Sequence, residues 1–307
     1  MIPTFFIVGA PRCGTSSLWR NLDAHPLIFM SKPKEPHHFG ADLELRKRPY
    51  AERAAYLKLF EGAGDVRHAG EASVLYLYSR SAPAEILGLS PAARIIVMLR
   101  NPLEMVPSLH AHNLLLLYED VPDLARALEA EADRREGRRI PTTCISPLTL
   151  QYLRLASYAE PVRRYREAFG PERVRCIILD DLRRDPGRVF AETLAFLDLP
   201  PYPPAELGAV NRGLRWRSGR AARLLLPAYG GARRLAGALP GRLLRQTTAR
   251  TVEALFYLPI TMNLAPSRPP SLSRDLRRAL CERLRDDVAR LSDLLARDLS
   301  DWLKPEA

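Results

Sequence analysis

The chain has 307 residues, enough to bury one large core, and its 47% hydrophobic and 7% aromatic content is ordinary for a globular protein. Its formal net charge of +11, from 46 basic against 35 acidic residues, suits polyanionic partners. No zinc-finger spacing, recognition module or basic run interleaved with aromatics accompanies that charge, which argues against nucleic acid. Cys13, Cys144, Cys176 and Cys281 are scattered without a Cys-x-x-Cys pair, arguing against a disulfide framework or a zinc site. No leader pattern and no apolar run of membrane-spanning length is visible, so a cytoplasmic protein without a transmembrane segment is expected.

In chain order, residues 5–9 read as a buried strand that breaks into a glycine-bounded turn, with a helix opening near Thr15. Residues 27–30 read as a second short strand, 50–62 as a helix, and 66–72 as a short edge or connecting strand. Residues 95–99 are the clearest interior strand, because five consecutive apolar residues, three of them β-branched, imply burial on both faces. Helices are predicted over 103–117, 123–136 and 147–169, and a strand over 174–179. A further helix at 186–197 has Asp185 available as its cap and a proline in its first turn. From 200 to 270 prolines, glycines and arginines interrupt the pattern, and only 250–258 is weakly helical. Residues 272–299 read as an amphipathic packing helix, with Leu276, Leu280, Leu284, Val288, Leu291 and Leu295 spaced by three or four.

Strands alternating with helices imply a doubly wound α/β protein. The expectation is a P-loop-like open parallel sheet flanked by helices, with a mostly helical C-terminal portion. A single domain over 1–307 is expected, with a nucleotide-binding core over 1–200 and an irregular and helical remainder over 201–307.

The turn between Gly9 and Gly14 has the form of an anion cradle, in which a helix start points N–H groups and a positive dipole end at a phosphate. The spacing approaches G-x-x-x-x-G-K-[ST], but Thr15 stands where the lysine belongs, which argues against ordinary triphosphate handling. Arg12, inside the turn, supplies a cation instead. Cys13 is expected to pack rather than to act as a nucleophile.

Three blocks carry a family resemblance. Pro11-Arg12-Cys13-Gly14-Thr15-Ser16-Ser17-Leu18 resembles the 5′-phosphosulfate loop of sulfotransferases that use 3′-phosphoadenosine 5′-phosphosulfate (PAPS). Lys34-Glu35-Pro36-His37-His38-Phe39 resembles the Lys-Glu-x-His-Phe-Phe block of that family's carbohydrate branch. The strand at 95–99, with Arg100 and Ser108 after it, resembles the elements that hold the 3′-phosphate.

The resemblance implies that Arg12, Cys13, Gly14, Thr15, Ser16 and Ser17 hold the 5′-phosphate and sulfate of PAPS, and Arg100 and Ser108 its 3′-phosphate. No metal is required, because the protein supplies the cation. Glu35 is the implied general base, with His37 orienting it or substituting for it; a histidine as sole base also stays open. Lys34 would contact the sulfate or the acceptor. A carboxylate base calls for burial or a neighbour that raises its pKa toward neutrality. Arg100 could alternatively cap a carbonyl or pair with Glu104. Ser73 and Tyr76 are candidates for the acceptor cleft, and Arg212, Arg215 and Arg217 around Trp216 for a loop covering the cofactor. Ala72 stands where heparan-type relatives carry a lysine, and 110–113 is assigned no role.

The resulting expectation is sulfuryl transfer to a hydroxyl, or an amine, of a small molecule, glycan or glycolipid, releasing 3′-phosphoadenosine 5′-phosphate (PAP). A nucleotide or adenylylsulfate kinase and a non-catalytic anion or nucleic-acid binder are the competing readings.

Overall fold

The computed structural model describes residues 1–204, 214–239, 242–266 and 271–304. Five strands form one parallel sheet: β1 (Phe5–Gly9), β2 (Ile28–Met30), β3 (His68–Ala72), β4 (Arg94–Leu99) and β5 (Val174–Ile178), in the order β2-β3-β1-β4-β5. All of β1 and the run Ile95 to Leu99 of β4 are buried, as strands covered by helices on both faces must be. The parallel α/β architecture is therefore the expected one.

One strand is misplaced by the sequence. β3, expected at an edge or in a connection, lies inside the sheet between β1 and β2. Its residues His-Ala-Gly-Glu-Ala lack the bulk of an interior strand because their neighbour supplies it. A Cβ on Gly70 would lie 2.1 Å from the Phe5 ring.

The helices begin with α1 (Thr15–Asp23) and α2 (Arg53–Leu57), the latter tightening into a 3-10 turn over Lys58–Ala63 where one helix was expected. α3 (Ala82–Leu89) was not predicted. It follows Tyr76–Tyr78 and is short, with Pro83 in its first turn. α4 (Pro102–Leu115) is capped by Asn101, whose side chain accepts the Leu103 N–H at 2.9 Å. The helix expected over 123–136 divides at Ala130 into α5 (Leu124–Glu129) and α6 (Glu131–Arg135). The one expected over 147–169 divides into a 3-10 turn, α7 (Tyr152–Ala156) and α8 (Ala159–Phe169). The second break is anchored by Asp287, whose carboxylate accepts the N–H groups of Tyr158 at 2.6 Å and Ala159 at 3.3 Å.

After β5 the chain turns at once into α9 (Leu179–Arg184), absent from the sequence reading, and then α10 (Pro186–Phe196). Asp185 caps α10 as expected, accepting the Arg188 N–H at 2.9 Å. Beyond it, β6 (Leu214–Trp216) and β7 (Leu264–Pro266) form a small antiparallel pair. Between them run α11 (Gly219–Ala238) and α12 (Arg242–Met262), two long helices where only a weak one was expected. They pack on each other, with the rings of Tyr229 and Phe256 5.6 Å apart. α13 (Arg274–Leu295) buries Leu280, Leu284, Val288 and Leu291 against the core, the packing role expected of it.

A buried ion pair fixes the end of α4. Glu119 and Arg134 both have fully buried side chains and bond twice, at 2.7 and 2.6 Å. Glu119 also accepts from the Tyr152 hydroxyl at 2.8 Å and from the N–H groups of Asp120 and Val121. Removing either partner would leave an uncompensated buried charge, costing roughly 3–5 kcal/mol.

Candidate active site

The loops after β1, β2 and β3, with α4, enclose one cleft of about 590 Å³. Ligands of open α/β sheets bind among such loops, outside the carboxyl ends of the strands. Arg12, Thr15 and Ser16 reach it from the turn after β1. Lys34, Glu35 and His37 reach it from the loop after β2, and Ser108 from α4. The three blocks that the sequence singled out thus meet in one space.

Close packing forces the turn's two glycines. A Cβ on Gly9 would lie 2.7 Å from Leu77 Cβ and 2.9 Å from the Val74 carbonyl oxygen. One on Gly14, whose φ is +89°, would lie 2.8 Å from Leu179. Gly14 offers no side chain to cap α1, so the first-turn N–H groups at Thr15 and Ser16 and the helix dipole are left for an anion. Arg12, at φ +63°, donates from Nε to the Ser108 hydroxyl at 3.1 Å. Cys13 is fully buried; burial, against Arg100 and Arg12, pushes its thiol up to about 12, which makes it a packed, protonated group. Cys13 and Gly14 in the turn and Ser17 in the first turn of α1 lie outside the cleft lining.

The loop at 34–37 is tied to the sheet by the Glu35 N–H, which donates to the Ala72 carbonyl at 2.9 Å. Glu35 Oε2 accepts the Val74 N–H at 2.9 Å and lies 3.5 Å from His37 Nε2, while Lys34 Nζ sits 2.5 Å from Oε1. Burial by itself would raise the Glu35 carboxyl, but Lys34, His37 and the Val74 N–H together hold it below its ordinary value. The raised pKa that the sequence reading called for is therefore replaced by a carboxylate already ionised at neutral pH. His37 is buried, and desolvation outweighs Glu35 to keep its pKa low. His38 points elsewhere, with Nδ1 2.6 Å from the Tyr50 carbonyl and its ring stacked on Tyr56.

Arg100 stands at the end of β4 but outside the cleft lining. Both alternatives considered for it occur together: it pairs with Glu104 at 2.7 Å and donates to the Arg12 carbonyl at 3.4 Å. Ser73 and Tyr76 do not line the cleft as expected. They are fully buried beneath it, and Val74 and Leu75 form that wall instead. The Ser73 hydroxyl accepts the His37 N–H at 3.2 Å and donates to Glu71 at 2.6 Å, while the Tyr76 hydroxyl accepts the Phe39 N–H at 3.1 Å. Arg212 lies outside the described residues. Of its neighbours, Trp216 donates its indole N–H to the Leu115 carbonyl at 2.7 Å.

His112 lines the cleft, although its segment was assigned no role. It sits one helical turn beyond Ser108, a signal available from the i, i+4 spacing once that helix is granted. Burial, with Arg12 and Lys34 nearby, pushes its pKa down to about 4, so it is a neutral acceptor at physiological pH.

Beneath the loop, Glu71 is fully buried and bonded by Tyr56 and Ser73. Burial, partly offset by these hydrogen bonds, pushes its carboxyl up to about 7 from an ordinary 4.5. The unfolded chain therefore releases this proton first. The stability that Glu71 contributes is complete below its unfolded value and is lost as pH rises through its folded one. Glu71→Gln, which keeps a neutral amide there, is expected to flatten the fall in urea midpoint between about pH 5 and 8. An unaltered slope would assign the titration to another group.

Comparison with known proteins agrees with this geometry. The family model described as "Sulfotransferase domain" matches residues 3–208. A bifunctional heparan sulfate N-deacetylase/N-sulfotransferase 1 of Caenorhabditis elegans is 25% identical over 210 residues, 66% of this chain and 23% of that protein. Human carbohydrate sulfotransferase 15 is 32% identical over 149 residues, 35% of this chain and 26% of that protein. The chain thus spans about a quarter of the length of these relatives. A crystal structure of a sulfotransferase from Alicyclobacillus acidocaldarius superposes with a TM-score of 0.71 at 26% identity, covering 99% of this chain and 100% of that one. With the matched model spanning the parallel sheet, the turn after β1 and the block around Glu35, the chain belongs to the sulfotransferase-domain family.

Proposed function

We propose that this protein transfers a sulfuryl group from PAPS to a hydroxyl or amine of its acceptor and releases PAP. The observation that carries this reading is the meeting of Arg12, the open first turn of α1, Glu35 and Ser108 around one cleft. The residues fit such a donor. The turn opens the first-turn N–H groups of α1 toward a phosphate, and Arg12 provides the planar fork that grips two of its oxygens.

In this mechanism Arg12 and the N–H groups of Thr15 and Ser16, with nearby hydroxyls, hold the 5′-phosphosulfate. Glu35 takes the acceptor's proton as its oxygen or nitrogen forms a bond to sulfur. The bond from sulfur to the bridging oxygen breaks, and its electron pair stays on the departing 5′-phosphate, where Arg12 and the helix start stabilise it. Lys34 neutralises the transferring sulfate, and His37 orients the Glu35 carboxylate. Ser108 binds the 3′-phosphate, for which Arg100 exchanges its Glu104 partner. No metal is required, since side chains supply the cations. Four free thiols support a reducing, cytoplasmic setting, and no helix among the described residues is long and apolar enough to cross a membrane.

An assay with labelled PAPS and a chelator tests the reading, with calorimetry against PAP and DNA beside it. Sulfate transfer is expected to persist, and PAP to bind in preference to DNA. Phosphate transfer from ATP that the chelator stops would show a kinase instead, and preference for DNA a nucleic-acid binder.

A further inference from the structure

Along its cleft face, α4 changes character. Ser108, next to Arg12, is followed by Ala111 and His112 and then by Leu115, two helical turns and about 10 Å further on. Around that far end stand Leu116, Ile145 and Leu214. Leu116 and Leu214 are among the large hydrophobic side chains left exposed, at 39% and 40%, yet both line the cleft. Exposed apolar surface gathered in a concavity marks a binding surface, whereas isolated exposed leucines do not. The Trp216 indole bonded to the Leu115 carbonyl fixes β6, and with it Leu214, against the end of α4.

The charges point the same way. The cations of the described lining are Arg12 and Lys34, one bonded to Ser108 and the other to Glu35, both at the polar end. The remaining ionisable side chain on α4's cleft face, His112, is neutral at physiological pH. A polyanionic sugar chain lying along this apolar end would meet leucines, without a cation among the described lining residues there to replace its lost hydration.

We infer that the acceptor is an uncharged amphiphile, a hydroxyl or amine carried on an apolar body that lies along Leu115, Leu116 and Leu214, rather than a polyanionic glycan. This rests on the sulfuryl-transfer reading above and narrows its substrate class.

The test measures sulfation of alkyl glucosides of increasing chain length, a phenol series and an unsulfated heparosan oligosaccharide, together with PAP binding by calorimetry. On the inference, kcat/KM rises up to roughly fourfold per added methylene until the apolar end is filled, and the oligosaccharide is a poor acceptor. A rise in the alkyl series alone assigns the body as an acyl-like chain, and a preference for phenols as an aromatic one. Leu116→Asp and Leu214→Asp, both at exposed positions, are expected to abolish the chain-length dependence while PAP binding is unchanged. Flat dependence, or preference for the oligosaccharide, with PAP still bound would overturn the inference and leave the transfer reading standing. Failure of the wild-type protein to bind PAP would overturn both.

Discussion

Arg12→Met is expected to lower the rate of sulfuryl transfer by about 10²–10³, the usual consequence of removing one preorganised donor from a developing anion. PAP affinity should fall at least about tenfold in calorimetry. The effect is large because Arg12 is mostly desolvated, and burial and Arg100 both weigh against its charge. A cation held in that state gains more from an arriving phosphate than a solvated one would. Arg12→Lys tests geometry separately from charge: it loses the guanidinium fork and the Nε bond to Ser108, and should recover binding better than rate. If Arg12→Met kept both quantities within about threefold of wild type, the 5′-phosphate would not be held by this turn.

For Glu35→Gln the expected loss is about 10²–10⁴ in kcat with PAP affinity intact, because the change removes a proton acceptor and little else from the donor site. The acid limb of the wild-type kcat profile should lie below 4.5, since Lys34, His37 and the Val74 N–H overcome burial and keep the carboxyl ionised. A base of low pKa gives up driving force but is ready at every physiological pH. Full activity in Glu35→Gln would move the proton to His37 or His112; because burial holds both imidazoles low, the variant and not the position of the limb identifies the base.

How far the site could be read from the sequence depends on how local its physics is. Gly9, Arg12, Gly14 and Thr15 lie in one short segment, and their conformation follows from a buried strand running into a helix start. Glu35 was found by resemblance, but its charge state was not. That state depends on the Val74 N–H, which arrives from the turn after β3. His112 was missed because α4 is buried on several sides, with Met105, Val106, Leu109, His110 and Asn113 all inside, so no polar face marks the side that meets the cleft. The helices α11 and α12 were missed for a different reason. Pro227 and Pro259 lie inside them and were read as interruptions, whereas each helix continues through its proline.

By itself, the order of residues determined the parallel α/β class and the glycine-bounded turn after β1, whereas Glu35 and His37 were singled out by resemblance to a family block. The first two are short-range consequences of hydrophobic periodicity and glycine conformation. Tertiary structure alone decided that β3 lies between β1 and β2, which brings Val74 to Glu35, and that α4 carries a polar end to Arg12 and an apolar end to Leu214. Those placements come from how rings such as Phe5 fill the space over Gly70 and how Trp216 caps the end of α4. They are contacts between segments 65 and 101 residues apart, beyond the reach of any local pattern.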